Sequence, residues 1–313
     1  MPANVETMMY TRETPWHSLG IRVEEAPNSR EALHLAGLDW TVDSRPVYDE
    51  LIREIPGYKA NVRSSDNKTL GIVTNRYKIV QNTEAFEFTD NLIGGDVHYE
   101  TAGSLQGGKR IWLLAKLPSK IIVGDEVEPY LCFTNSHDGT GAIRACMTPV
   151  RVVCNNTLNL ALATAKRQWS TKHVGDIEAK MAEARSVLEF SEEYMAAMNL
   201  HAEKLAATKV SNADVQEVLN EMFPTKEDDS DYKKRNAEKA KEEIMVCLFA
   251  PDLENFRGTA WGAVNAISDF ATHNQPRRNT ENYRENNWGR VIDGHPVIDA
   301  FCDILYDRVG IKS

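Results

Sequence analysis

His137 and Asp138 stand side by side within SHDGTGAIRACMTPVRVVCNNTLNLAL, residues 136–162. A histidine beside a carboxylate can work as an acid–base pair, the chemistry of a hydrolase or nuclease. Neighbouring residues on a strand point to opposite faces, so a turn is needed to bring these two together. Asp138-Gly139 is itself a turn dipeptide. The competing reading therefore makes it the bend of a hairpin, with His137 a residue held inside that bend. Cys154 precedes an expected helix start, where the helix dipole can activate a thiol. A packed, inert thiol is the alternative there. No GxSxG nucleophile elbow accompanies these residues.

A second set of residues suggests binding rather than catalysis. Lys109 and Arg110 lie at an expected hairpin, Arg144 and Arg151 on a strand-like run, and Lys166 and Arg167 beside Trp169. Arg144 and Arg151 are an odd number of residues apart, which puts them on opposite faces unless Pro149 introduces a bulge. Tyr99, Trp112, Tyr130 and Phe133 are interleaved with these cations. Single-strand binders combine a cationic groove with aromatic stacking surfaces, which makes Trp112 and Tyr130 candidate stacking residues. The plain reading is that the aromatics fill a sheet core and the arginines are ordinary surface. Trp16-His17, near the start, reads as an anchor that tucks the N-terminal arm onto the domain.

Other chemistries find little support. Neither GxxxxGK[ST] nor a strand-linked GxGxxG is present, so no ATP or NAD cofactor is expected. The five cysteines and eight histidines contain no CxxC or HxxxH pair, and no metal site is expected. The cysteines read as buried, reduced thiols. No apolar run approaches the length of a membrane span, and the first residues lack a signal-peptide pattern, so a cytoplasmic protein is expected. The net charge of −10 argues against a protein that coats duplex DNA. That charge is unevenly distributed: residues 101–170 carry eight basic and four acidic side chains.

The elements that must position these residues can be read from periodicity and breakers. Ser29 predicts the cap of a short helix ending at Gly37, and Asn82 the cap of a second that stops at Gly94-Gly95. Strands are expected over DWTVDSRPVYDE and on both sides of the polar turn Ser64 to Lys68. VHYETAGSLQGGKRIWLLAKLP predicts a hairpin turning near Gln106 to Gly108. Two further strands flank HDGTG, and Asn155 or Asn156 predicts a helix cap. Beyond Gly175 the chain reads as helical, beginning with one long charged helix whose apolar stripe runs from Ile177 to Leu205. Ser211 predicts a further cap, and HPVIDAFCDILYDRV a final helix. The expectation is an α+β fold: an antiparallel sheet with inserted helices over residues 1–170, then a helical domain over 171–313.

Taken in order, TPWHSLG, LGIVTNRYKIVQNTEAF, GSLQGGKRIW, FTNSHDGTGAIRACMTPVRVVCNNTLNLAL and GTAWGAVNAISDF resemble the phage/plasmid-like protein family built on domain of unknown function 932. The resemblance covers roughly residues 10–300 and implies a setting in mobile DNA, with no established reaction. At the level of fold the chain is also similar to single-strand annealing proteins, oligomers that hold single-stranded DNA in a cationic groove without ATP. What this implies is an ATP-independent, homo-oligomeric binder of single-stranded DNA that uses Lys109, Arg110, Arg144, Arg151, Lys166 and Arg167, with no catalysis of its own. Two alternatives remain: a counter-defence or regulatory protein that binds a host protein, and a hydrolase or nuclease using His137 and Asp138.

Overall fold

Gln106, Gly107 and Gly108 all take positive φ, at 54°, 69° and 86°. Glycine reaches that region without strain, so this short stretch can reverse the chain tightly. The turn joins β6 (Tyr99–Leu105) to β7 (Arg110–Lys116), the hairpin at the centre of the fold. The computed structural model describes residues 5–11, 20–94, 97–148, 168–184, 186–273 and 295–311.

Around this hairpin lies a seven-stranded sheet. Its other strands are β1 (Val5–Thr11), β2 (Ile21–Val23), β10 (Tyr130–Ser136), β11 (Ile143–Thr148) and β12 (Gln168–Thr171), in the order β12-β11-β10-β7-β6-β1-β2. Every pairing is antiparallel except β1 with β2. The β7 run IWLLA carries no polar residue, and all five of its residues are buried. A strand covered on both faces needs that continuous apolar pattern. One face packs on α1 (Ser29–Leu35) and α2 (Asn82–Ile93). Phe88 of α2 meets Phe133 with ring centres 5.3 Å apart, and Phe86 meets Tyr99 at 4.9 Å.

A second, three-stranded sheet holds β3 (Val42–Tyr48), β4 (Glu54–Arg63) and β5 (Thr69–Thr74), in the order β3-β4-β5. It lies against the turn between β10 and β11. A Cβ added at Gly71 of β5 would come within 2.5 Å of the Asp138 Cα, so only glycine permits this approach. The remaining strands, β8 (Lys120–Ile122) and β9 (Asp125–Val127), form a separate hairpin.

Helices follow the sheets: α3 (Ile177–Glu183), α4 (Ser186–Ala207), α5 (Asn212–Met222), α6 (Asp231–Cys247), α7 (Ala260–His273) and α8 (Pro296–Val309). The chain divides into two compact units. One contains the two larger sheets with α1 to α3; the other contains β8, β9 and the helices from α5 onward, with most of α4. The mixed α+β architecture expected from the sequence, with a strand-rich first half and helices after it, is the one observed.

Several local expectations change. The single long helix from Ile177 is two helices, because the last turn of α3 tightens: the Ala184 N–H bonds Met181 O at 3.1 Å. Asn28, rather than Ser29, caps α1 and closes a capping box with Glu31. At α2 the cap is Gln81, whose N–H bonds Glu84 Oε2 at 2.7 Å. Asn82 is thereby released to turn inward. The helix expected from Asn155 or Asn156 lies outside the described residues, apart from Gln168 and Trp169, which belong to β12.

Candidate functional site

The turn from Ser136 to Gly141 is built from its own side chains. Asp138 Oδ1 accepts from the Ser136 hydroxyl at 2.6 Å, the Thr140 N–H at 2.9 Å and the Thr140 hydroxyl at 2.7 Å. Ser136 Oγ in turn accepts the Gly141 N–H at 3.1 Å. Gly139, at φ 81°, lets the chain reverse. Burial alone would raise the Asp138 pKa. The bonds from Ser136 and Thr140, with Arg110 nearby, outweigh burial and hold the carboxyl below its usual range.

His137 is fully enclosed. Its N–H bonds Lys109 O at 2.7 Å, which anchors the turn to the β6–β7 hairpin. Its carbonyl accepts the Asn61 side-chain amide from β4 at 2.7 Å. Asn82 uses its own amide to bond Leu38 O at 2.8 Å and Trp40 O, so Asn82 Oδ1 faces His137 Nε2 as an acceptor, 3.0 Å away. That geometry assigns the imidazole proton to Nε2 and leaves Nδ1 as a bare lone pair. Trp40 packs edge-on against the ring at 5.4 Å. Burial, then the neighbouring His173, pulls the His137 pKa down to about 3.

His173, just after β12, repeats the arrangement. Its Nδ1 donates to Lys78 O at 2.9 Å, and its carbonyl accepts the Lys78 N–H at 2.8 Å. The ring stacks on Tyr77 at 4.5 Å, and the Tyr77 hydroxyl donates to Ser136 O. Burial lowers the His173 pKa as well. His137 Nδ1, His173 Nε2 and Asn61 Oδ1 are thus buried acceptors with no donor among the described residues.

As a candidate acid–base pair, His137 and Asp138 are not brought together. His137 bonds Asn82, Asp138 bonds Ser136 and Thr140, and the imidazole has no exposed edge to meet a substrate. The stacking role assigned to Trp112 and Tyr130 also needs correcting. Trp112 is 4 % exposed and donates from Nε1 to Thr101 Oγ1 at 3.1 Å; Tyr130 is 2 % exposed and donates to Glu128 at 2.8 Å. Neither ring offers a face to a base. The apolar runs YLCF and IWLLA around them were the signal, and they lie on strands buried along these runs.

The cations are placed differently. Arg110 lies opposite Ser136, and Arg144 opposite Thr134. Directly opposed residues share a face, so Arg110 and Arg144 lie on one face with β10 between them. Arg110 reaches Thr140 Oγ1 at 3.3 Å, and its buried Nε has no acceptor among the described residues. Lys109 is half-buried one residue away. Arg151, Lys166, Arg167, Cys154, Trp16 and His17 lie outside the described residues.

Sequence reasoning missed two further cations, Lys59 and Lys78. Lys59 lies opposite Val73, whose side chain a Cβ on Gly139 would strike at 2.8 Å, and Lys78 is fixed to His173 through its backbone. Partial burial, then the ammonium of Lys78, draws the Lys59 pKa below the usual lysine range. Among the described residues none of Lys59, Lys78, Lys109 and Arg110 forms an ion pair. Other cations are neutralised: Arg63 by Glu6 and Asp66, Lys116 by Glu128, Arg308 by Glu217 and Glu221. Among the described residues no cluster of three His, Cys, Asp or Glu side chains suits a metal ion, and no helix is long and apolar enough to cross a membrane.

A family model described as Domain of unknown function (DUF932) matches residues 69–290. Neither a curated protein nor a solved structure matches the chain.

Proposed function

Because the chain belongs to the family of domain of unknown function 932, whose description assigns no reaction, we propose a function from the site itself: ATP-independent binding of the phosphate backbone of single-stranded DNA. One observation carries the reading. In a chain of net charge −10, four cations without ion-pair partners gather around one turn, Lys59 and Lys78 from the three-stranded sheet side, Lys109 and Arg110 from the β6–β7 hairpin. The Lys59 and Lys78 charges act unfavourably on each other, and an anion relieves that repulsion. Arg144 lies on the same face as Arg110. A setting on phage or plasmid DNA, a cytoplasmic location in the host cell and assembly into homo-oligomers of annealing type complete this reading.

The test is fluorescence anisotropy with labelled single- and double-stranded oligonucleotides across a salt series, using protein stripped of nucleic acid. Single-strand binding should lose affinity with salt, with a log–log slope of about 0.7 for each phosphate contact. Lys59→Ala, Lys78→Ala, Lys109→Ala and Arg110→Ala should each lower that slope by about one contact. Failure to bind single strands at low salt would overturn the reading.

A second reading rests on a different place. A cleft of 520 Å³ between α2 and α3 is lined by the apolar Phe88, Leu92, Ile177 and Met181 and by the acidic Glu84, Glu87 and Glu178. That chemistry fits a protein segment with a basic side chain beside an apolar one, as a host-protein partner would present. Glu87→Lys with Glu178→Lys should abolish capture of a specific host protein; capture unchanged by this double substitution would exclude the cleft.

A further inference from the structure

The three-stranded sheet has one face against the 136–141 turn, through Asn61 and Gly71. On its other face Arg45, Tyr58, Ile72 and Thr74 are exposed, while Val62 is buried. Cross-strand register places Arg45, Ala60 and Ile72 in one row, and Tyr58 opposite Thr74 in the next. Ile72 is therefore the diagonal neighbour of Tyr58, within reach of an aromatic ring. Tyr58 is 50 % exposed and Ile72 60 % exposed. The small side chain of Ala60 beside them leaves a flat apolar surface.

We propose that Tyr58 and Ile72 form a stacking platform for a base of single-stranded nucleic acid. This rests on the phosphate-binding reading above and supplies the aromatic surface that Trp112 and Tyr130 cannot. Successive residues of a strand point to opposite faces, so Lys59 emerges on the far side of β4 from Tyr58. The Asn75 N–H bonds Gly57 O at 3.0 Å, which ties the loop after β5 to the same end of the sheet. That loop carries Arg76 and Lys78, both exposed. Arg45 stands on the platform face, bonded to Asn67 Oδ1 at 2.8 Å and 4.0 Å from Asp43. A ring with cations on either side matches a strand in which flat bases alternate with phosphates. The charge favours a nucleic acid over an apolar protein surface.

The experiment compares an oligothymidylate with an abasic oligonucleotide of equal length, by anisotropy, for the wild type, Tyr58→Ala, Tyr58→Phe and Ile72→Ala. Thermal melts verify that these surface variants stay folded. Tyr58→Ala should weaken oligothymidylate binding by roughly tenfold or more, with an unchanged salt slope, because no phosphate contact is lost. Tyr58→Phe should bind like the wild type, Ile72→Ala should be intermediate, and the abasic strand should not distinguish the variants. Equal affinity of wild type and Tyr58→Ala for oligothymidylate would overturn the platform while leaving phosphate binding intact. A drop in mass by light scattering with unchanged affinity would overturn it in favour of an interface between copies. Absence of binding by the wild type itself would remove the phosphate reading, and the platform with it.

Discussion

Asn61 donates its side-chain amide to the main-chain oxygen of His137 at 2.7 Å, joining residues 76 positions apart. Both are fully buried. This bond fastens β4 to the turn that the unpaired cations surround, so it positions the candidate site as well as the fold.

Removing that amide strands a carbonyl away from water. An unsatisfied buried polar group costs about 1–3 kcal/mol. Asn61→Ala should therefore lower the unfolding free energy by about 2 kcal/mol in urea denaturation, with an unaltered m-value. A loss under about 0.5 kcal/mol would mean that the His137 carbonyl finds another donor.

Gly71→Ala tests the same contact sterically. The new methyl would lie 2.5 Å from the Asp138 Cα and 2.7 Å from its carbonyl oxygen, so backbone must move against backbone. Overpacking of this kind costs about 1–3 kcal/mol. The melting temperature should drop by several degrees, and a variant as stable as the wild type would show that the two sheets are free to separate at this point.

Much of this frame was legible. The β6–β7 hairpin announced itself through strand-like runs on both sides of Gln106-Gly107-Gly108, and the β10 and β11 strands through the turn dipeptide between them. Ser211 capped α5 as expected. These signals are local: a period, a glycine, a cap. What remained hidden depends on partners distant in sequence. Asn82 looks like a helix cap because it precedes a helix, yet it serves the backbone of Leu38 and the ring of His137. Lys59 feels the charge of Lys78 because β5 returns alongside β4 and the chain after it passes nearby. Trp112 and Tyr130 could have been placed correctly, since a strand run without polar alternation has no solvent face on which an aromatic can stand.

Cysteine reactivity should follow burial. Cys132 and Cys146 face each other across β10 and β11, both buried. The hydrogen bond to Cys146, then burial, holds the Cys132 thiol well above its usual range. Burial pushes Cys302 up to about 12, and burial with Asp269 nearby takes the half-buried Cys247 to about 11. A thiol that stays protonated alkylates slowly. With iodoacetamide at neutral pH, peptide mass spectrometry should find Cys247 labelled first among the described cysteines and Cys132, Cys146 and Cys302 protected until denaturant is added. Rapid labelling of Cys132 in the native protein would contradict the packing of β10 against β11.

Arg63 holds a charged cluster under Trp40. Its guanidinium meets Glu6 at 2.7 Å and Asp66 at 2.6 Å and lies 5.4 Å from the Trp40 ring. The side chain is almost fully buried, and its two partners reach water. Breaking a buried pair costs about 3–5 kcal/mol, and partner exposure argues for the low end. Arg63→Ala should therefore cost about 3 kcal/mol in chemical denaturation. Arg63→Lys should recover only part of this, because an ammonium cannot make both bidentate contacts. Full recovery with lysine would show that charge alone, rather than the fork geometry, sustains the cluster.

Acid should loosen the site through its histidines. His137 in the folded chain titrates at about 3, against an ordinary 6.5, so the unfolded chain binds the proton more readily. Stability from this residue is complete above pH 6.5 and declines as the pH falls toward 3. At about 1.4 kcal/mol per unit, the loss by pH 5 is about 2 kcal/mol. His173, lowered for the same reason, adds to the loss in the same direction, and the depressed Asp138 carboxyl contributes only below the ordinary carboxylate range. Melting temperature should thus decline between pH 7.5 and 5 before most carboxylates titrate. His137→Gln forfeits packing against Trp40, so it should be less stable at pH 7.5, yet its decline toward pH 5 should be shallower. A variant that declines as steeply as the wild type would show that the acid sensitivity arises elsewhere. A shallower decline would identify the enclosed imidazole as the group that couples pH to the turn and to the cations around it.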